Sequence, residues 1–423
     1  MDVIHSMDVP PLISVLPFIL LLLAIAFLPL IKGYWWESHK NKAQVIGIFS
    51  LPILLYLLFK DPFQLVHAFE EYIAFILLLG SLYTISGGIA LVGEIIPTPA
   101  ATTLLLGLGM VLANLIGTTG ASMLLIRPLL KIMTTRKTVH HTVIFFIFLV
   151  SNIGGCLTPL GDPPLFLGYL NGVPFTWTFK LWKPWLLLGS GLLTLHFVLD
   201  YLIWKKENPF NMSRILEGNW KSPGVKLHLE GKINFVFLFG VVLSVAFLGS
   251  PYREIFMIGM GILSILATPD ELRARNSFTY DPIYEVAILF LGIFITMQPA
   301  LLILRTQGQT LGITEPWQFF WISGTLSSFL DNAPTYLTFF NLAKSLGTSG
   351  SIPGIPEERI LEAISLGSVF MGANTYIGNG PNFMVKSVAE ATGVKMPTFF
   401  GYMLWSMGIL IPSFLITSYL FFD

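Results

Sequence analysis

The stretch SNIGGCLTPLGDPP, residues 151–164, lies inside a long apolar run and has a counterpart in GANTYIGNGPN, residues 372–382. Setting TPLGDPPL (158–165) on TYIGNGPN (375–382) matches Thr158 with Thr375, Gly161 with Gly378 and Pro164 with Pro381. It also places Asp162 opposite Asn379. Without a gap, the same offset sets Asn114 on Asp331 and Thr118 on Thr335, since 375 − 158 and 331 − 114 both give 217. One short block could match by chance; two blocks 44 residues apart at one offset argue for two related halves. These run over 1–204 and 233–423, joined by a linker at 205–232.

The medium is a bilayer. Of 423 residues, 54% are hydrophobic and 11% charged, against about 25% charged in soluble domains, and mean hydropathy is +0.74. Apolar runs at 11–31, 43–60, 71–96, 140–171, 181–204, 233–250, 252–268, 282–304, 358–392 and 397–422 read as ten transmembrane helices. The expected fold is an all-α polytopic membrane protein. The first run has neither a basic leader nor a small-residue cleavage site, so it reads as a span and not as a removable signal. Net charge is zero, which leaves no basic face for nucleic acid. The single cysteine, Cys156, excludes a disulfide framework. No GxxxxGK[ST] loop is present, so transport driven by ATP on this chain is not expected, nor is any cofactor beyond the ions carried.

Two more apolar stretches, 98–133 and 316–346, are each interrupted by a polar cluster: NLIGTTGAS at 114–122 and SSFLDNAPT at 327–335. Each arm has about 15 residues, or about 22 Å of helix, short of the roughly 30 Å hydrocarbon core. Both read as re-entrant hairpins with polar tips inside the membrane. Lys and Arg gather at Arg127, Lys131, Arg136 and Lys137, in 205–232, and at Arg273 and Arg275, which marks those segments as cytoplasmic. The N-terminus and C-terminus then lie outside, in the inner (plasma) membrane of the cell, and an odd number of spans per half inverts one half relative to the other. Inverted halves with interrupted spans are a signature of secondary transporters.

The chemistry should sit where helices break, because irregular backbone survives at membrane depth only against protein or a water-filled cavity. Asp162 in the first break and Asp331 in the second tip are intramembrane acids, costing roughly 2.5–3.5 kcal/mol each on insertion scales. A bound cation or proton offsets that cost. Hard oxygen ligands suit Na+. Ser151, Asn152, Thr158 and Asp162 offer them in the first half; Asp331, Asn374, Thr375 and Asn379 offer them in the second. The hairpin tips supply Asn114, Thr118, Thr119, Ser328, Asn332 and Thr335 as candidate substrate contacts. His140 and His141 read as interfacial residues at a span end. A pair of membrane aspartates also suggests an intramembrane protease, but Asp162 is followed by Pro163 and Pro164 and cannot sit on a continuous helix.

At these motifs the sequence resembles the ion transporter superfamily, most closely the NhaD type of sodium/proton antiporter and the related citrate and arsenite permeases. SNIGGCLTPLGDPP carries the most specific likeness; SSFLDNAP (327–334) and GANTYIGNGPN resemble the second-half motifs. The resemblance implies a scaffold domain, a mobile transport domain, elevator-like movement and a homodimer, with the expected Na+ groupings at Asn152, Thr158 and Asp162 and at Asp331, Thr375 and Asn379. The tips depart from the Ser-Asn-Thr triplet of dicarboxylate carriers, and Asp331 sets a negative charge in the second one. Sodium/proton antiport is therefore the leading expectation, with Na+ and H+ competing for one carboxylate. Symport of citrate, a dicarboxylate or a related oxyanion is the alternative.

Overall fold

The structure is a computed structural model describing residues 9–36, 38–94, 97–207, 226–275, 278–346 and 354–422. The N-terminal octapeptide and the middle of the linker lie outside these residues. Helices of eight residues or more are numbered in chain order. The first half carries α1 Leu16–Ile31, α2 His39–Lys60, α3 Pro62–Ser86, α4 Pro99–Ile132, α5 His140–Leu149, α6 Pro163–Leu170 and α7 Trp182–Glu207. The second half carries α8 Ile233–Phe247, α9 Tyr252–Ala267, α10 Asp281–Thr296, α11 Gln298–Gln307, α12 Pro316–Ser327, α13 Asn332–Ser345, α14 Glu358–Met371, α15 Gly380–Ala391 and α16 Phe399–Phe421.

Helix starts follow local chemistry. Asp61 and Thr98 accept hydrogen bonds from Gln64 N (3.1 Å) and Ala101 N (3.2 Å), with Pro62 and Pro99 at the first helical position, where a missing N–H costs nothing. Among the described residues seven helices are long and apolar enough to cross a membrane, eight if α10 and α11, bent by 43°, form one span. The ten expected spans are redrawn accordingly. The span expected at 71–96 runs from Pro62 to Ser86, and residues 90–94 leave it to form β1, paired antiparallel with β2 (Lys226–Glu230) in register Ala90↔Glu230. The spans expected at 140–171 and 358–392 are each broken into two helices around an irregular middle.

The first interrupted stretch does fold back. Gly117 (φ 77°, ψ 155°) breaks α4 in a backbone region that suits glycine. A Cβ on Gly109 would stand 2.9 Å from Leu125 Cδ1; on a straight helix, 16 residues would separate those positions by about 24 Å. The second hairpin closes likewise, with the Phe319 and Phe339 rings 6.4 Å apart. The hairpins and broken helices surround the best-buried part of the chain, where His141–Leu149 are all enclosed. A helix apolar on all sides belongs inside a protein.

Candidate functional site

The two breaks are built alike. Gly155–Gly161 and Gly372–Gly378 are close backbone crossings: a Cβ on Gly161 would fall 2.2 Å from Gly155 O, and one on Gly378 2.5 Å from Gly372 O. Beyond each crossing the chain is extended at Asp162 (φ −145°) and Asn379 (φ −153°), then enters α6 and α15. The first tip is sewn to its break by Thr118 N donating to Gly161 O (2.8 Å), Leu157 N donating to Asn114 Oδ1 (2.7 Å), and the Thr158 hydroxyl donating to Asn114 O.

Asp162 is the centre. It is buried, and although it stands at the start of α6 its side chain does not cap that helix. Its Oδ1 accepts from Thr118 Oγ1 (2.8 Å) and Asn379 Nδ2 (3.3 Å), and its Oδ2 from Asn332 Nδ2. The donors come from both hairpins and the second break, and all are neutral. Asn379 Nδ2 also reaches Ser151 O (3.0 Å) and Asn152 Oδ1 (3.2 Å). Asn152 donates to Ile147 O (2.8 Å) and Asn382 Oδ1 (2.7 Å), and the Ser151 hydroxyl meets Ser122 Oγ at 2.8 Å. A buried network on this scale specifies one arrangement when its members are paired. One member is not: Asn332 Oδ1 is buried with no donor among the described residues.

A second polar knot joins the other tip to its break. Asn374 Nδ2 donates to Ser328 Oγ (2.9 Å) and the Thr375 hydroxyl to Ser328 O, while Gly378 N donates to Thr375 Oγ1 (3.1 Å). Asn374 Oδ1 is a second buried acceptor without a donor among the described residues. Asp331 caps α13 through Ala333 N (3.2 Å), and Thr335 donates to Asp331 O (3.0 Å). The structure thus gathers Thr118, Ser151, Asn152, Asp162, Asn332 and Asn379 into one cluster, and Ser328, Asn374 and Thr375 into another. The expected groupings are redrawn: Asn379 belongs with Asp162, while Thr158 is turned to the first tip. Sequence reasoning passed over Asn382, which donates to Gly372 O (2.8 Å) and Thr375 O (2.9 Å) and so holds the second break to Asn152. Its position in the GNGPN string was the available signal.

A cavity of about 50 Å³ lies beside the first tip, with Thr118, Thr119, Gly120, Pro163 and Gly380 in its wall and Tyr83 opposite. Pro163 and Gly380 open α6 and α15, so the positive ends of two half-helices meet there. A cavity of about 750 Å³ lies elsewhere, between α1, α11 and the second hairpin; its lining holds no ionisable side chain.

Away from the site, Arg136 pairs with Asp200 (2.6 Å) and Glu207 (2.9 Å), and His141 Nε2 lies 3.0 Å from Asp200 Oδ1. His141 is fully buried, which corrects its interfacial reading.

A family model described as "Putative citrate transport" matches residues 7–422, nearly the whole chain. No curated protein matches it.

Proposed function

The chain belongs to this citrate transport family of multi-pass secondary transporters, and from that premise we propose that it is a cation-coupled carrier of a small carboxylate of the citrate class. Na+ or H+ is taken up at Asp162. The observation that carries this reading is a buried carboxylate with only neutral hydrogen-bond partners, next to the donorless acceptor Asn332 Oδ1. A buried acid needs a counter-charge, and a donorless oxygen beside it is what a hard cation takes. A carboxylate group of the cargo would meet the N-terminal ends of α6 and α15 and the hydroxyls of Thr118 and Thr119 at the neighbouring cavity, which at about 50 Å³ must widen to admit the whole molecule. Asn374, Thr375 and Ser328 form a second cation position, with Asp331 close by.

Sodium/proton antiport without organic cargo is the second reading. It is favoured by the absence of Lys, Arg or His among the residues hydrogen-bonded to Asp162. Both readings share an inverted two-half architecture, elevator movement, a homodimer in the plasma membrane and both termini outside. Matching helix starts support the two halves: α1 and α8 (16 and 233), α4 and α12 (99 and 316), α6 and α15 (163 and 380) and α7 and α16 (182 and 399) all differ by 217.

The test is reconstitution in liposomes with a pH dye inside, under an imposed sodium gradient. Labelled citrate accumulating with sodium or proton entry establishes symport. A pH change that follows sodium with no anion present establishes antiport. Neither response in the wild-type chain would sink both.

A further inference from the structure

We propose that Arg127 is a specificity-determining residue for the anionic cargo, receiving its carboxylate at the mouth of a route to the first hairpin tip; this rests on the carboxylate reading above. Thr119, Met123 and Arg127 are spaced four apart on the second arm of α4 and so share one face. Thr119 lines the cavity at the tip, while Met123 and Arg127 line a further cavity of about 20 Å³. Tyr83 belongs to the walls of both. Ser86 stands at the waist between them: a Cβ on Gly120 would lie 3.2 Å from its Oγ.

Arg127 is half-buried. Ion pairs hold Lys42, Arg136, Lys180, Arg253 and Lys386, among others. Arg127 has neither a carboxylate partner nor a hydrogen bond among the described residues. A guanidinium stays charged in proteins and its fork matches a carboxylate. A half-buried guanidinium at the expected cytoplasmic end of a span, with no partner among the described residues, is free to receive an incoming anion. Arg136, nine positions further on, is by contrast locked to Asp200 and Glu207.

The mouth is shut by Phe278. Its ring lies against Gly87, where a Cβ would fall 2.2 Å from Cδ2, and its centroid is 5.1 Å from that of Tyr83. The Arg273 guanidinium stands 5.2 Å from the same ring. The space left holds about one water. A carboxylate reaching Arg127 therefore requires Phe278 to leave Gly87, while Arg273 stays held by Thr84 O (2.7 Å) and Ser264 Oγ (2.9 Å).

The experiment compares wild type, Arg127→Gln and Arg127→Lys in proteoliposomes, measuring labelled citrate uptake against citrate concentration, sodium concentration and ionic strength set with choline chloride. The Gln variant should raise the citrate KM about tenfold while leaving the maximal rate and the sodium dependence as in wild type. The Lys variant should keep most of the affinity. Wild-type KM should climb with ionic strength and that of the Gln variant should not. A variant KM equal to that of wild type, or a loss confined to maximal rate and thermal stability, overturns the role of Arg127. A wild-type chain that takes up no carboxylate under a sodium or a proton gradient instead overturns the carboxylate reading, and this inference falls with it.

Discussion

Asp162 and Asn379, equivalent positions in the two halves, touch: the amide nitrogen of one is 3.3 Å from the carboxylate oxygen of the other. Each break therefore delivers the same position to the same place, and the pair carries one negative charge. The charge belongs to the place where the breaks meet more than to either half. Asp162→Asn should abolish cation-coupled transport. The double variant Asp162→Asn with Asn379→Asp should recover a measurable part of it in the liposome assay. A silent double variant beside a folded single one would show that the halves are not exchangeable.

Asn379→Asp alone sets two carboxylates within hydrogen-bond distance, and such a pair must share a proton or hold a cation. Proton release on sodium addition should then extend to more alkaline pH than in wild type. An unchanged pH profile in dye-loaded liposomes would contradict this.

Asp331 is the N-cap of α13. Asn caps about as well as Asp, while Ala costs about 1 kcal/mol. Asp331→Asn should therefore melt like wild type and Asp331→Ala earlier. A higher sodium concentration for half-maximal transport in Asp331→Asn would then report the lost charge alone.

A bound cation stabilises the folded state by mass action, by about 2.7 kcal/mol at a hundred times its dissociation constant. Replacing choline by sodium should raise the melting temperature of the detergent-solubilised wild type, and raise that of Asp162→Asn by less, the remainder coming from the second cation position. Equal shifts in both would place the cation elsewhere.

Arg136→Ala leaves Asp200 buried with its guanidinium partner removed, a change that typically costs 3–5 kcal/mol. Thermal unfolding should show it as a large loss of stability; a wild-type melting curve would mean that Thr102 and His141 suffice to hold Asp200.

Much of this was legible in the sequence because breaks in apolar runs are hard to disguise. The Gly-, Pro- and Asn-containing strings at 151–164 and 372–382, the two tips and Asp162 could be read from composition and offset. Asn382 stood in the second of these strings, but its equivalent at 165 is a leucine, so no repeat pattern singled it out. Arg127 read as one of several charges flanking a span, since hydropathy does not show which face of a helix lines a cavity. His141 looked interfacial because its neighbours gave no sign of Asp200, 59 positions away in sequence. The strand at 90–94 was hidden in an apolar run that looked long enough to extend the preceding span. Its partner's alternation in VKLHLEG was visible, but pairing is not written in either segment alone.

That ribbon has a mechanical consequence. Ala90–Glu94 lies just ahead of the first hairpin, and Lys226–Glu230 just ahead of α8, the first helix of the second half. The end of the linker is therefore lashed to the approach to the hairpin. The five residue pairs join the approach to the first hairpin to the head of α8 like a tie rod, so a displacement of either one would be passed to the other.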